Sequence, residues 1–172
     1  MVRLEVGIIN GSVEIGSYQR RVRRVSFLLK GGITMKNIIV AGLIAGFAML
    51  VLAMAVGMLT HAALPSLAKE YENTNLFRPW SDPIMSLYFL YPFFLGIALA
   101  WVWDKTKDVL GGGSMWIRGS RFARSFWIVS TIPGILMSYS SFPVSLAMSL
   151  TWLLSSLVQL LCAGFIYARM IK

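Results

Sequence analysis

The sequence predicts an all-α membrane protein that crosses a bilayer four times as an antiparallel bundle. Three observations predict it. Hydrophobic residues make up 57% of the chain and charged residues only 13%, where soluble domains carry roughly 25% charged residues. The apolar residues gather into four long runs with no charged side chain in their middles. Lysine and arginine gather between alternate runs, the pattern that fixes orientation in a membrane. Mean hydropathy is +0.70, and the four runs use nearly all of residues 35–172.

The first run extends from Asn37 to about Leu59 (37–59). A helix rises 1.5 Å per residue, so about 20 residues cross the ~30 Å hydrocarbon layer. Its length exceeds the roughly 7–15 apolar residues of a cleaved signal peptide. The second run covers Pro83 to Trp103 (83–103), and Ser81-Asp82-Pro83 reads as a helix N-cap followed by proline at the first helical position. The third covers Phe122 to Ser141 (122–141) and the fourth Pro143 to Ala168 (143–168). A tight turn at Ser140-Ser141-Phe142-Pro143 joins these two as an antiparallel hairpin.

Basic residues set the expected orientation. The loop after the first run has only Lys69 and Arg78, against Glu70, Glu72 and Asp82. The loop after the second has Lys105, Lys107, Arg118, Arg121 and Arg124, and the tail after the fourth has Arg169 and Lys172. With the N-terminal segment included, 14 of the 16 basic residues fall on one side. That side is expected to be cytoplasmic, with both termini. Trp80, Trp101, Trp103, Trp116 and Trp127 lie near the ends of the runs, where amphipathic rings favour the interface.

Residues 1–34 admit two readings. As a cytoplasmic extension, they carry an Asn10-Gly11 hairpin signal between β-branched residues and a basic run of Arg20, Arg21, Arg23 and Arg24. Alternatively, translation starts at Met35. Lys30-Gly31-Gly32 can be encoded by a purine-rich prokaryotic ribosome-binding sequence, with two codons between it and Met35. The favoured expectation is a start at Met35 and a prokaryotic cell membrane. The remaining 138 residues then have ten Lys and Arg against five Asp and Glu, a net charge of +5.

Helices in lipid associate through close packing, so small residues four apart mark contact faces. Gly42 and Gly46, Ala53 and Gly57, Gly96 and Ala100, and Gly164 and Ala168 have this spacing. They predict packing inside one bundle, with a homo-oligomer or larger membrane complex as the other reading. Pro92 and Pro133-Gly134 predict kinks, because proline removes a backbone donor.

Ser145, Ser149, Ser156 and Gln159 recur at spacings of four, seven and three, which places them on one helical face. Ser130, Thr131 and Ser138 are candidates to answer them from the third run. One reading is a polar path. The blander one, which the residue types favour, has hydroxyls bonding to carbonyls one turn back.

No Asp, Glu, Lys, Arg or His lies mid-run. Proton-coupled pumps place such groups at membrane depth, so that class is disfavoured. In the loop after the first run, His61, Glu70, Glu72 and Asp82 are weak metal-ligand candidates. Their spacing matches no metal motif and favours a solvated loop, so neither a metal nor another cofactor is expected. Leu64, Leu67, Ala68 and Tyr71 have helical spacing there and predict an interfacial helix.

The stretch Gly111-Gly112-Gly113-Ser114 lacks the Gly-Lys-Ser/Thr of a phosphate-binding loop. It reads as a flexible linker to a basic, aromatic surface segment, whose Lys105, Lys107, Arg118, Arg121 and Arg124 would meet anionic lipid headgroups. Nucleic acid is a poor partner for charges flanking apolar runs. Cys162 stands alone and reads as a buried structural thiol. The expected function is a non-enzymatic membrane subunit or scaffold. The alternatives are an oligomeric transporter or channel for an uncharged solute and an outer-face enzyme or metal site.

Overall fold

The computed structural model of the chain describes residues 35–171. The chain divides into two units, Met1–Thr34 and Met35–Lys172, and the description concerns the second. The Asn10-Gly11 signal, the arginine run and the two readings of the start lie outside the described residues.

All regular structure among the described residues is helical. Helix α1 spans Met35–Ala63 and presents Ile38, Ala41, Gly42, Ala45, Gly46 and Met49 as one buried stripe. The three- and four-residue steps of that stripe match one helical face. Pro65 ends α1, since the residue before a proline is pushed from helical to extended backbone. Leu64 has φ −132° and ψ 78°. Helix α2, Pro65–Tyr71, follows with proline in its first turn.

Asp82 caps a short 3₁₀ turn, Pro83–Met85, by accepting the Ile84 N–H at 2.9 Å. The turn runs into α3, Ser86–Thr106. Helix α4, Met115–Phe126, begins at Ser114, whose hydroxyl accepts the Ile117 N–H. A π-helical turn, Trp127–Thr131, continues it into α5, Ile132–Ser141. Helix α6, Leu146–Met170, starts at Ser145, whose hydroxyl accepts the Met148 N–H.

Among the described residues, three helices are long and apolar enough to cross a membrane: α1, the 3₁₀ turn with α3, and α6. The third expected run departs from expectation in two ways. It becomes helical at Met115, seven residues before Phe122, because Ser114 supplies a cap. It is also not one continuous α-helix, because Pro133 has no N–H for the Val129 carbonyl and the ladder slips to π spacing just before it. The fourth helix starts at Leu146 rather than Pro143, because Pro143 stays in the turn and Ser145 is the cap.

Two glycine crossings hold the helices together. A Cβ on Gly42 would lie 2.5 Å from the Ile97 Cα, and one on Gly46 would lie 2.7 Å from the Phe93 Cα. As the number rises on α1 it falls on α3, so the two run antiparallel. Gly96 faces the Gly42 carbonyl in return. On the other side of the unit, a Cβ on Gly164 would lie 2.5 Å from the Gly119 carbonyl oxygen. Leu99, Trp103, Phe122, Tyr167 and Ile171 are buried at the same end of the unit as the crossings, and Met148 is buried further along α6.

Candidate functional site

The basic end of the unit is the most tightly determined. The Trp103 indole N–H donates to the Ile171 carbonyl at 3.0 Å, and the Tyr167 hydroxyl donates to the Gly96 carbonyl at 2.8 Å. Both rings are fully buried. Phe122 packs edge-on against each, with centroids 5.3 and 6.2 Å away. Trp103 is therefore a core residue and not an interfacial ring, which corrects the sequence expectation. Trp127 is half-buried and turned inward, while Trp80, Trp101 and Trp116 are exposed.

The five basic residues expected at lipid headgroups divide by partner. The Arg118 guanidinium lies 5.6 Å from the Trp103 ring centroid and donates to the Lys107 carbonyl at 3.4 Å. Its Nε is buried without a hydrogen-bond partner. Arg121 donates to the carbonyls of Leu110 and Gly112. These two arginines strap the 107–113 loop onto α4, and Gly111 adopts φ +77° beneath Arg121. Left-handed backbone of this kind favours glycine. Lys105 and Lys107 pair with Asp104. Arg124 donates to the Ser120 carbonyl within its own helix, and its side chain is exposed.

The polar stripe of α6 is not a continuous network. Ser145 is the helix cap. Ser149 is 3% exposed and its hydroxyl has no partner. Ser156 donates to the Leu153 carbonyl, and the Gln159 amide donates to Ser155 at 2.9 Å. From the neighbouring helix, Trp127 makes the cross-contact, its N–H donating to the Leu153 carbonyl at 2.9 Å. Ser138 donates to the Gly134 carbonyl in α5. Cys162 is a free thiol, partly buried.

The opposite end carries a cap. Leu67 of α2, Val144 of the turn and Met148 of α6 form a small buried cluster, flanked by Tyr71, Phe77 and Trp152. The Trp152 N–H donates to the Tyr71 oxygen at 2.6 Å, and a Glu70 carboxylate oxygen accepts the Ser145 N–H at 2.6 Å. Burial raises the Tyr71 phenol above its ordinary pKa, and the Trp152 N–H partly offsets this. His61 stacks on Tyr71 at 6.0 Å. The Ile84 N–H, then the Arg78 guanidinium, hold the Asp82 carboxyl below its ordinary pKa. Glu72 is exposed. The four candidate ligands are thus spread over separate contacts, and no metal-binding group of three or more His, Cys, Asp or Glu occurs among the described residues.

Among the small-residue pairs, Gly42, Gly46, Gly96, Ala100, Gly164 and Ala168 are buried. A Cβ on Gly57 would meet nothing within 4 Å, and Gly57 and Ala53 are only partly covered. Gly119, which the sequence reading passed over, is the partner of Gly164. Its signal was present, since Gly119 and Ala123 are themselves small residues four apart and both are buried.

No family model, curated protein or solved structure matches the chain.

Proposed function

We propose that the chain is a four-span component of a prokaryotic cell membrane, with both termini cytoplasmic, serving as a non-enzymatic subunit or scaffold. In this reading the third crossing in chain order is made by α4, the π turn and α5 together. Their 27 residues (115–141) would reach about 40 Å. That exceeds the ~30 Å hydrocarbon layer and leaves Arg118 and Arg121 near one headgroup region.

One observation carries the reading. Apart from the Ser149 hydroxyl, the polar groups between the two ends use their hydrogen bonds within the fold: Gln159 on Ser155, and Ser156 and Trp127 on Leu153. They do not converge on a common point where a substrate would bind. The large outward surface is apolar, including Phe47, Val51, Phe94, Leu136 and Met137. A protein built this way offers lipid and other helices a surface. The exposed cations Lys36, Lys105, Arg124 and Arg169 suit anionic headgroups on the cytoplasmic side.

Purification of the native protein in mild detergent, followed by mass spectrometry, tests this. A stoichiometric protein partner or a homo-oligomer is the expected result. A lone monomer, or solute flux in proteoliposomes that disappears with Gln159→Leu, would overturn it.

A further inference from the structure

The helix ladder is weakest at one place, and the packing on its two sides is unequal. The Ile132 N–H donates to the Trp127 carbonyl, a five-residue step. It is therefore turned away from the Ile128 carbonyl, its ordinary partner four residues back. The residue five beyond Ile128 is Pro133, which has no N–H. The Ile128 carbonyl consequently has neither an α-type nor a π-type backbone donor. In hydrocarbon, where water is absent, such a group is costly and the local ladder is easily rearranged.

Before this point, α4 is fixed. Gly119 touches the Gly164 backbone, Phe122 and Ala123 are buried, and Trp127 is bonded to the Leu153 carbonyl. After it, α5 buries no residue. Gly134 has nothing near the position of a Cβ, and Ser138 bonds back to the Gly134 carbonyl, a contact that bends helices. The far end of α5 is held again at the turn, where Val144 lies against Leu67 and Ser145 donates to Glu70.

We propose that α5 is a moving arm, pivoting on the Trp127–Thr131 turn while α4 stays fixed to α6. The turn beneath α2 limits its travel. The Trp127 side chain stays with the fixed side, its N–H bonded to the Leu153 carbonyl at 2.9 Å, so the pivot lies beyond it. The arm is thus a conformational device in one half of the membrane region, coupled to the α2 cap through Val144. It rests on the reading of residues 115–141 as a membrane crossing, and not on the subunit role.

Distances between spin labels on the full-length chain in phosphatidylcholine nanodiscs test the arm, in a Cys162→Ser background that removes the single cysteine. Leu43→Cys on α1 is the fixed reference. It is paired with Met137→Cys on α5 or with Ser125→Cys on α4. The expected distribution for the α5 pair is about twice as wide as for the α4 pair, or has two peaks, as slow collective motion requires. Pro133→Ala, which restores the missing donor, is expected to narrow the α5 pair to the width of the α4 pair. An α5 distribution as narrow as the α4 one overturns the proposal without any proline variant. A wide α5 distribution that a folded Pro133→Ala protein retains overturns the assignment of the pivot.

Discussion

Gly119 of α4 and Gly164 of α6 meet backbone to backbone: a Cβ on Gly119 would lie 2.8 Å from the Gly164 carbonyl oxygen, and one on Gly164 would lie 2.5 Å from that of Gly119. Both obstacles are main-chain atoms, which cannot rotate aside. Apolar side chains have no hydrophobic incentive to meet in lipid, so close backbone approach of this kind is what packs the two helices together.

Substitution at this crossing should therefore destabilise sharply. Gly164→Ala and Gly119→Ala are each expected to cost about 1–3 kcal/mol, the usual range for overpacking. Gly57→Ala, whose new methyl meets nothing within 4 Å, should stay within roughly 0.5 kcal/mol of the parent. Thermal unfolding in detergent with a tryptophan fluorescence readout compares the three. Equal losses at all positions would refute the crossing.

The two buried bonds tie the C-terminal end of α6 to the middle and the C-terminal end of α3. Trp103→Phe removes the donor to the Ile171 carbonyl, and Tyr167→Phe removes the donor to the Gly96 carbonyl. Each leaves a buried acceptor without its side-chain partner, which is expected to cost about 1–3 kcal/mol. Trp103→Phe should also loosen residues 167–171, giving faster amide exchange there than Tyr167→Phe does. Exchange mass spectrometry in nanodiscs measures it.

Much of this was legible in the sequence, for identifiable reasons. Uncharged runs of about 20 residues announce helices, and the spacing of Gly42, Gly46 and Gly96 marks packing faces without saying which helix meets which. Asp82-Pro83 gave the start of the second span because capping chemistry is local. What stayed hidden was non-local. Arg118, Arg121 and Arg124 made 115–124 resemble a surface segment, yet Gly119, Phe122 and Ala123 between them face inward. Trp103 resembled an interfacial ring because its burial depends on Phe122 and Tyr167, which lie far away in sequence. The Ser145–Gln159 stripe has a true helical period, but the pattern cannot report that Ser155 satisfies Gln159 or that Ser145 caps the helix.

Orientation can be read directly by labelling. Val109 in the 107–113 loop is 85% exposed, and Thr74 in the loop after α2 is also exposed. In a Cys162→Ser background, Val109→Cys in intact cells should resist a membrane-impermeant maleimide, and Thr74→Cys should react. Opening the cells should make both reactive. The reverse pattern would contradict the inference from basic residues.

The cap should be sensitive to alkali. Burial raises the Tyr71 phenol above its ordinary value of 10.0, with the Trp152 N–H acting in the opposite direction. A folded pKa above the unfolded one means that the folded state favours the protonated phenol. The stabilisation is complete below about pH 10 and is lost as pH rises through the folded value. Tyrosinate absorbance should therefore show Tyr71 ionising later than an exposed tyrosine, assigned by its disappearance in Tyr71→Phe. Once Tyr71 ionises, Leu67→Cys in a Cys162→Ser background, buried at 3% exposure in the parent, should gain reactivity beyond that of an exposed control cysteine at the same pH. In Tyr71→Phe the cap loses both the ionisable group and the oxygen that Trp152 donates to. The Leu67 position should then be more reactive at neutral pH and should lose the alkaline step. An unchanged step in Tyr71→Phe would show that some other group controls the cap.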